Sequence, residues 1–445
     1  MTERRRAVRA FDVSNRDVLA LAIPMTLAYL STPILGVVDT AVIGQLGSAA
    51  LVGGIAVGGI LFDLVFTTFN FLRSGTTGLT AQAYGSGETR EIKAGLLRAL
   101  IIAGVLGLAT IALQIPMIEV GLRLLGGSDA VQEATRSYFG IRIYSAPFTL
   151  ANYAILGWLL GQGRAKTGLL IQTWLNGINI VLSIVFVMGL SWGVAGVALA
   201  TVISEIATVA FGGLFVWHTF AKGPMPSRAR VFNRTRILKM VAVNRDIMIR
   251  SFSLLFAFAF FTARGAAQGD VVLAANAILE KFFIVGGYFL DGFATAAETI
   301  VGRAIGGRHR PAFDRAVKLT VLWGFVLAGA AAVVFWYGGP WLIDLMTTHE
   351  GTRETARVYL VWAALTPLAG VLAFEMDGVF IGATWSRDMR NMMLLSLVAY
   401  LATYAVAFPL WGNHGLWLSL EVLLGIRGLS LAFMSRVRAR EVFAA

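Results

Sequence analysis

Long apolar stretches alternate with short polar interruptions over nearly the whole chain. Twelve of these stretches can each cross a bilayer, because a hydrocarbon core of about 30 Å needs about 20 residues of helix. They lie near residues 17–43, 49–72, 92–115, 134–160, 166–190, 194–219, 240–263, 270–301, 314–338, 353–383, 390–410 and 413–435. The pattern predicts an all-α integral membrane protein with twelve transmembrane helices, since a helix satisfies its own backbone hydrogen bonds in lipid.

The second half of the chain repeats the first about 220 residues later. Four groups recur in the same order: Asn15-Arg16-Asp17 as Asn244-Arg245-Asp246, Arg136 and Tyr138 as Arg357 and Tyr359, Gly157-Trp158-Leu159-Leu160-Gly161 as Gly378-Val379-Phe380-Ile381-Gly382, and Trp192-Gly193-Val194-Ala195-Gly196 as Trp411-Gly412-Asn413-His414-Gly415. Duplicated membrane halves are typical of secondary transporters, in which two similar bundles rock about a central site. The repeat predicts two pseudo-symmetric lobes of six helices each and indicates a transporter.

The predicted helices and the repeat together define five parts of the chain. They are a cytoplasmic N-terminus (1–16), an N-lobe with helices one to six (17–219), a cytoplasmic linker (220–239), a C-lobe with helices seven to twelve (240–435) and a cytoplasmic tail (436–445). The linker is the longest connection and contains two prolines. We expect no cleavable signal peptide, because the N-terminus is polar and basic and the first apolar stretch is too long.

The net charge of +12 is distributed unevenly between the predicted loops. Of the 37 Lys and Arg residues, 28 lie on one side, in the N-terminus, the linker region from Lys222 to Arg250, the tail and the loops after helices two, four, eight and ten. Loops on the other side, such as residues 45–49 and 189–193, have none. By the positive-inside rule, this asymmetry places both termini in the cytoplasm and the protein in the inner (plasma) membrane. The expected partners of the basic charge are membrane lipids with anionic headgroups, not nucleic acid.

Composition argues against several classes of function. Only 14% of the residues are charged, compared with about 25% in an average soluble domain. Cysteine is absent and the four histidines show no metal-ligand spacing, so we expect no disulfide and no metal site. The sequence also lacks a phosphate-binding loop for ATP. We therefore expect no cofactor, and transport that is driven by an ion gradient or by the gradient of the substrate itself.

Ionisable residues inside apolar segments are candidates for function, because an Asp at the centre of a membrane helix costs about 2.5–3.5 kcal/mol or more. Asp39 is predicted in the outer half of helix one, and Pro33, six residues earlier, allows that helix to bend. Burial disfavours the charged form of Asp39, so this residue is our candidate for loading and releasing a proton. The alternative is that Asp39 caps helix two or bonds to a neighbour.

Polar residues on the fourth and fifth predicted helices are further candidates. Asn176 and Asn179 are three residues apart and therefore share one helical face. They either face a cavity or hold helices together, since amides in lipid must find partners. Asn152 and Tyr153 on helix four are further candidates for lining that cavity.

The second lobe contains more acidic residues than the first. Glu280, Asp291 and Glu298 lie along helix eight, and Glu375 and Asp377 lie along helix ten. Glu280, Asp291, Glu298 and Asp377 are substrate or gating candidates, and the roles open to Asp291 and Asp377 are to relay protons, bind a cationic cargo or hold a gate closed. Glu280 and Glu298 have basic neighbours with which they can pair, Lys281 and the cytoplasmic loop after helix eight. The alternative is a hydrogen bond between helices that stabilises one conformation.

Three segments carry a family resemblance. Val38-Asp39-Thr40-Ala41-Val42-Ile43-Gly44-Gln45-Leu46-Gly47 resembles the first-helix signature of the multidrug and toxic compound extrusion (MATE) family. Residues 288–294 and 376–387 resemble its DNA-damage-inducible protein F (DinF) branch. The similarity runs from about Asp17 to about Ser435. It implies two six-helix lobes around a central cavity. It also implies multidrug efflux, that is, xenobiotic transport in which lipophilic, often cationic compounds are exported in exchange for H⁺ or Na⁺.

The resemblance also assigns an ion site in the N-lobe. The first-helix carboxylate is Asp39, the fifth-helix pattern falls on Asn176 and Asn179, and the sixth-helix pattern ends at Thr201. Many relatives carry an Asp four residues after the second Asn, where this chain has Ser183. One carboxylate with neutral neighbours suits a proton better than Na⁺. We therefore predict a proton-coupled antiporter.

Three classes of function remain open from the residues alone. The first is an ion-coupled exporter of drugs or toxic metabolites, acting as a monomer on small-molecule substrates. The second is a flippase for lipid-linked saccharides from the same superfamily, whose cavity is expected to carry several Arg or Lys residues. The third is an intramembrane enzyme, which needs paired acids for Mg²⁺ or a catalytic His or Ser. We find no such constellation and predict that the chain is not an enzyme.

Overall fold

The computed structural model describes residues 10–444, and every regular element in that range is helical. In chain order the α-helices are α1 (Asn15–Gly44), α2 (Ala49–Phe69), α3 (Phe71–Gly85), α4 (Thr89–Ala112), α5 (Gln114–Leu125), α6 (Asp129–Arg142), α7 (Ala146–Gly161), α8 (Ala165–Ile184), α9 (Gly193–Ala221), α10 (Arg228–Val231), α11 (Arg234–Ala266), α12 (Asp270–Gly306), α13 (Arg310–Met346), α14 (Glu350–Ala383), α15 (Ser386–Trp411) and α16 (Asn413–Ala444). The all-α prediction is confirmed.

Twelve helical spans within residues 10–444 are long and apolar enough to cross a membrane. Several spans consist of more than one helix. A break at Asn70 separates α2 from α3, a 3₁₀ turn at Ile143–Ser145 joins α6 to α7, and a π-helical turn at Val185–Gly189 extends α8. The predicted number of transmembrane segments is therefore confirmed.

The structure adds helices that the apolar pattern did not predict. The short helix α5 lies in the connection between the third and fourth spans and ends at Gly126, which adopts a positive φ of 73°. The predicted linker, residues 220–239, contains α10 and the first residues of α11. The predicted tail continues α16 as far as Ala444. Helices thus extend beyond the apolar segments that revealed them.

The described residues form two compact units, and α1 contributes to both. The N-unit contains Leu27–Tyr84 and Glu88–Met240. The C-unit contains the described residues up to Thr26, the turn Gly85–Gly87, and the chain from Val241 onward. The boundary within α1 lies between Thr26 and Leu27. The predicted candidate residues from Pro33 to Thr201 therefore lie in the N-unit, and those from Glu280 to Asp377 lie in the C-unit.

In the N-unit, α7 packs against α4 and α9 around large buried side chains. Trp158 is fully buried and its indole Nε1 donates to the backbone oxygen of Ile92 at 3.0 Å. Gly157 faces the backbone of Arg73 so closely that a Cβ would clash with its carbonyl oxygen, and Gly161 faces Thr77 in the same way. These glycines allow close approach of two helix backbones.

In the C-unit, α14 packs against α12, α13 and α16. Its glycines repeat the arrangement of the N-unit, because Gly378 faces the carbonyl oxygen of Ala294 and Gly382 faces that of Glu298. Trp417 is fully buried and its indole donates to Asn276 Oδ1 at 2.9 Å. The repeated glycines therefore allow close helix packing in both units.

An ion pair also recurs in the two halves of the chain. In the N-unit, Arg136 binds Glu119 of α5, and this hydrogen bond holds the pKa of Glu119 below its usual value. In the C-unit the equivalent residue, Arg357, binds Asp344 at 2.5 Å. Both pairs are exposed, so their contribution to stability is small. Their recurrence shows that the two halves share details of surface contacts as well as glycine packing.

Candidate functional site

A chain of hydrogen bonds in the N-unit begins at Asp39. Ser183 Oγ lies 3.0 Å from Asp39 Oδ1 and 3.3 Å from Asn179 Oδ1. Asn179 Nδ2 donates to Thr201 Oγ1 at 3.1 Å and to Ser204 Oγ at 3.3 Å. The chain therefore connects α1 to α8 and α8 to α9. Its only ionisable member is Asp39.

Helical periodicity explains why these side chains meet. Asn179 and Ser183 are four residues apart on α8, and Thr201 and Ser204 are three apart on α9, so each pair lies on one face of its helix. All five residues are buried, Asp39 to 8% exposure and Ser183 to 0%. A polar group at this depth needs a partner, and each of these groups has one.

The structure refines the predicted contacts of Asp39. The hydrogen-bond partner of Asp39 is Ser183, which connects it to Asn179. The structure also adds Ser204, which the sequence interpretation missed. Its signal was its position three residues after Thr201, on the same helical face.

Asn176 lies one turn before Asn179 but has different partners. Its Nδ2 donates to Ser31 Oγ of α1 at 2.8 Å, and its Oδ1 accepts from Gln172 at 3.3 Å. Pro33, two residues beyond Ser31, is exposed within an unbroken α1. Asn176 is thus a second link between α8 and α1.

A cavity of about 190 Å³ lies within the N-unit beside this chain. Asn152, Tyr153 and Asn176 line it, as the sequence predicted, together with Thr201. The amide of Asn152 donates to Glu205 Oε2 at 2.6 Å, which ties α7 to α9. The acidic residues in the wall are Asp63 and Glu205, and the basic one is Arg142.

Arg142 is the cavity residue that the sequence interpretation overlooked. Its guanidinium lies 4.5 Å from the centre of the Phe62 ring and donates to the hydroxyl of Tyr138. Its charge acts on both Asp63 and Asp39. This charge comes from α6 and not from the helix that carries Asp39. Because an arginine remains protonated, Arg142 is a permanent positive charge beside the candidate proton carrier.

Asp377 in the C-unit belongs to a buried ion triad. Its Oδ2 accepts from Arg250 Nη1 at 2.6 Å and from Arg427 Nη2. The triad connects α11, α14 and α16. Arg250 had been counted among the basic residues of the linker region, but it lies in the interior of α11. These contacts favour the structural alternative for Asp377 over the binding of a cationic cargo.

The other acidic candidates of the C-unit lie on α12 and α14. Glu375 is completely buried, and neither of its carboxyl oxygens has a hydrogen-bond partner among the described residues. Glu280 and Asp291 are half-buried on α12, and Glu298 is buried further along the same helix. The charge of Asp291 acts on both Glu375 and Arg427.

Comparison with known proteins agrees with the repeat and the fold. The MatE family model matches the chain twice, over residues 24–185 and 247–408, so the two matches begin 223 residues apart. The chain is 39% identical to the DNA damage-inducible protein F of Escherichia coli strain K12 over 424 residues, which are 95% of this chain and 92% of that protein. It is 26% identical to the chloroplastic Protein DETOXIFICATION 44 of Arabidopsis thaliana, over 92% of this chain and 80% of the relative.

Two solved structures have the same fold. An outward-facing multidrug resistance MATE family transporter of the MOP superfamily superimposes with a TM-score of 0.84 and 19% identity, over 97% of both chains. The Vibrio cholerae MATE transporter VcmN in its bent form gives a TM-score of 0.86 at 19% identity, over 96% of this chain and 97% of that one. At this identity the likeness concerns the fold, which has two six-helix lobes.

Proposed function

Because the chain belongs to the MATE family of efflux transporters and is not an enzyme, we propose that it is a secondary antiporter that exports lipophilic, often cationic compounds in exchange for protons. The observation that carries the proposal is the buried hydrogen-bond chain from Asp39 through Ser183 to Asn179. This series of hydrogen-bonded side chains contains one carboxylate, and all its other members are neutral.

The partners of Asp39 support H⁺ over Na⁺ as the coupling ion. A bound metal cation needs several oxygen ligands, whereas a proton needs one basic oxygen. The position where many relatives carry a second Asp holds Ser183, and its hydroxyl hydrogen is directed either to Asp39 or to Asn179.

The geometry of Ser183 provides a way for one proton to change contacts between helices. A hydroxyl has a single hydrogen, and Ser183 has two acceptors, at 3.0 and 3.3 Å. When Asp39 is ionised, Ser183 donates to it. When Asp39 is protonated, Asp39 donates to Ser183, and Ser183 donates to Asn179. Protonation thereby reverses the direction of the hydrogen bond between Asp39 of α1 and Ser183 of α8. We propose that α1 then bends near Pro33 and that this bend expels the cargo.

The cavity beside this chain is our candidate for the cargo site. Its carboxyl groups, Asp63 and Glu205, outnumber its single guanidinium, Arg142, which favours cationic or neutral cargo. The flippase alternative gains no support, because Arg250 and Arg427 in the helices of the C-unit are bound to Asp377 and are not available to a pyrophosphate. The chain carries both lobes, so we propose that a monomer is sufficient for transport.

Asp39→Asn tests the coupling role. The amide keeps the shape of the protonated acid but cannot release a proton, so the variant should fold and insert normally yet lose efflux driven by a pH gradient. Efflux of a fluorescent cation is measured from vesicles in Na⁺-free buffer. Asp129→Asn, which removes an exposed acid at the start of α6, is the matched control and should transport like the unmodified protein.

Two further measurements separate the parts of the proposal. Ser183→Ala removes the link but keeps Asp39, and should weaken the response to pH without abolishing transport. Equal export by Asp39→Asn and the unmodified protein, at matched expression, would contradict the coupling role. Activity that requires Na⁺ in the unmodified protein would contradict the proton while leaving the antiporter intact.

A further inference from the structure

A large groove lies on the surface of the C-unit, and its lining does not include the three residues of the ion triad. It has a volume of about 630 Å³ and is walled by α13, α14 and α16. One end is basic and the other is apolar. The basic end carries Arg310, Lys318, Arg436 and Arg440, with Asp314 as the single acid.

The basic end has positive charge that acidic residues of the described part of the chain do not neutralise. Arg310 pairs with Asp314 at 3.5 Å, which leaves Lys318, Arg436 and Arg440. These three side chains belong to exposed residues and have no hydrogen-bond or ion-pair partner among residues 10–444. Their neighbour Arg438, by contrast, is bound to Asp388 at 2.7 Å. The basic end of the groove therefore has a net charge of about +3, which is complementary to an anion.

The remainder of the groove is apolar and extends along the helices. Val321, Leu322 and Phe325 of α13 face it together with Leu372 and Met376 of α14. Phe325 is seven residues beyond Lys318, which is about 10 Å along the helix axis. Half of a bilayer core is about 15 Å thick, so the apolar part fits within the depth of one leaflet.

We propose that this groove binds one anionic phospholipid, with its phosphate at Lys318, Arg436 and Arg440 and an acyl chain along α13. Two features together identify the ligand. A phosphate alone does not explain the apolar wall, and a neutral lipid does not explain three uncompensated cations at one end. Basic pockets between transmembrane helices at the membrane surface are suited to anionic headgroups.

Native mass spectrometry of the purified full-length protein in detergent tests this assignment. The probes are phosphatidylglycerol and phosphatidylcholine with identical acyl chains, and inorganic phosphate. We expect phosphatidylglycerol to bind with one-to-one stoichiometry and more tightly than phosphatidylcholine, while inorganic phosphate at the same concentration leaves no adduct. Equal binding of both lipids would overturn the headgroup assignment, and binding of inorganic phosphate as tight as that of the lipid would overturn the acyl-chain assignment.

A charge-matched pair of variants locates the site. The groove variant Lys318→Gln/Arg436→Gln/Arg440→Gln should weaken phosphatidylglycerol binding by at least about tenfold. The control variant Arg228→Gln/Arg234→Gln/Arg387→Gln removes three exposed basic residues elsewhere and should bind like the unmodified protein. All six positions are exposed, and thermal unfolding without added lipid checks that both variants fold. Equal weakening in the two variants, or none in the groove variant, would show that the lipid binds elsewhere.

Discussion

At the scale of single residues, two acids on α14 that are only two positions apart have opposite surroundings. Asp377 is held by two guanidiniums, whereas Glu375 is completely buried without a hydrogen-bond partner among the described residues. An isolated charge in such an interior costs several kcal/mol, so Glu375 fits as the neutral acid. Asp377 fits as the ionised form, because it is the counter-ion of Arg250 and Arg427.

This difference leads to a prediction for two matched amide substitutions. Glu375→Gln replaces one neutral group by another and should change the free energy of unfolding by less than about 1 kcal/mol. Asp377→Asn leaves buried Arg427 and half-buried Arg250 without their counter-ion and should cost roughly 3–5 kcal/mol. Denaturant titration of the purified variants in detergent micelles measures both. A large loss for Glu375→Gln would show that its carboxylate is ionised and paired in the membrane.

The residues of the N-unit site divide into those that local spacing reveals and those that it does not. Asn179, Ser183 and Thr201 were predicted with Asp39 because the resemblance marks them and helical spacing puts them on shared faces. Arg142 was missed, as was the role of Arg250. Their partners are on other helices, and a pattern along one segment contains no information about which neighbour a side chain meets.

At the scale of helices, the apolar pattern predicted the spans better than their ends. A span of about 20 apolar residues is required by the bilayer, so all twelve were visible in the sequence. Helix ends extend into water, where polar residues continue the backbone hydrogen bonds, and α11 and α16 therefore run past the predicted boundaries. The short helix α5 was missed because its 12 residues are too few for a span.

Helix packing at the repeated glycines gives a second prediction at this scale. Gly378→Ala places a methyl group against the carbonyl oxygen of Ala294, so α12 and α14 must separate. The expected cost is about 1–3 kcal/mol. Gly329→Ala on α13 meets no atom within 4 Å and should be neutral or slightly stabilising, since alanine favours helix.

Gly378→Ala and Gly329→Ala are compared by the fraction of each protein that remains folded in detergent after heating. Gly157→Ala in the N-unit should behave like Gly378→Ala, because Gly157 faces the carbonyl oxygen of Arg73 in the same way. If Gly378→Ala is as heat-resistant as Gly329→Ala, the close approach of α12 and α14 is not required for stability.

At the scale of the whole molecule, the two halves share an architecture but differ in their polar interiors. The glycine contacts and the exposed ion pairs recur in both. The N-unit has a chain of neutral partners around one carboxylate, whereas the C-unit has a triad with two arginines. A duplicated scaffold therefore carries two different polar sites, which supports the placement of proton coupling in the N-unit and a structural role for the triad in the C-unit.

The orientation of the molecule in the membrane is the last prediction. The charge asymmetry remains when Arg250 is assigned to the interior of α11, since 27 of the 37 basic residues still lie on one side. Ser48 follows the first span and Ser227 follows the sixth, so the two serines lie on opposite sides of the membrane. The positive-inside rule places Ser227 in the cytoplasm together with both termini.

Single cysteines test this orientation directly, because the chain has no cysteine of its own. In intact cells, an impermeant thiol reagent should label Ser48→Cys and spare Ser227→Cys. Permeabilised cells are the control, and there both variants should react, since both positions are in short polar connections outside the predicted hydrocarbon core. The reverse labelling in intact cells would invert the topology. It would also place the basic end of the C-unit groove at the outer leaflet, because Arg436 and Arg440 of that end belong to the C-terminal part of α16.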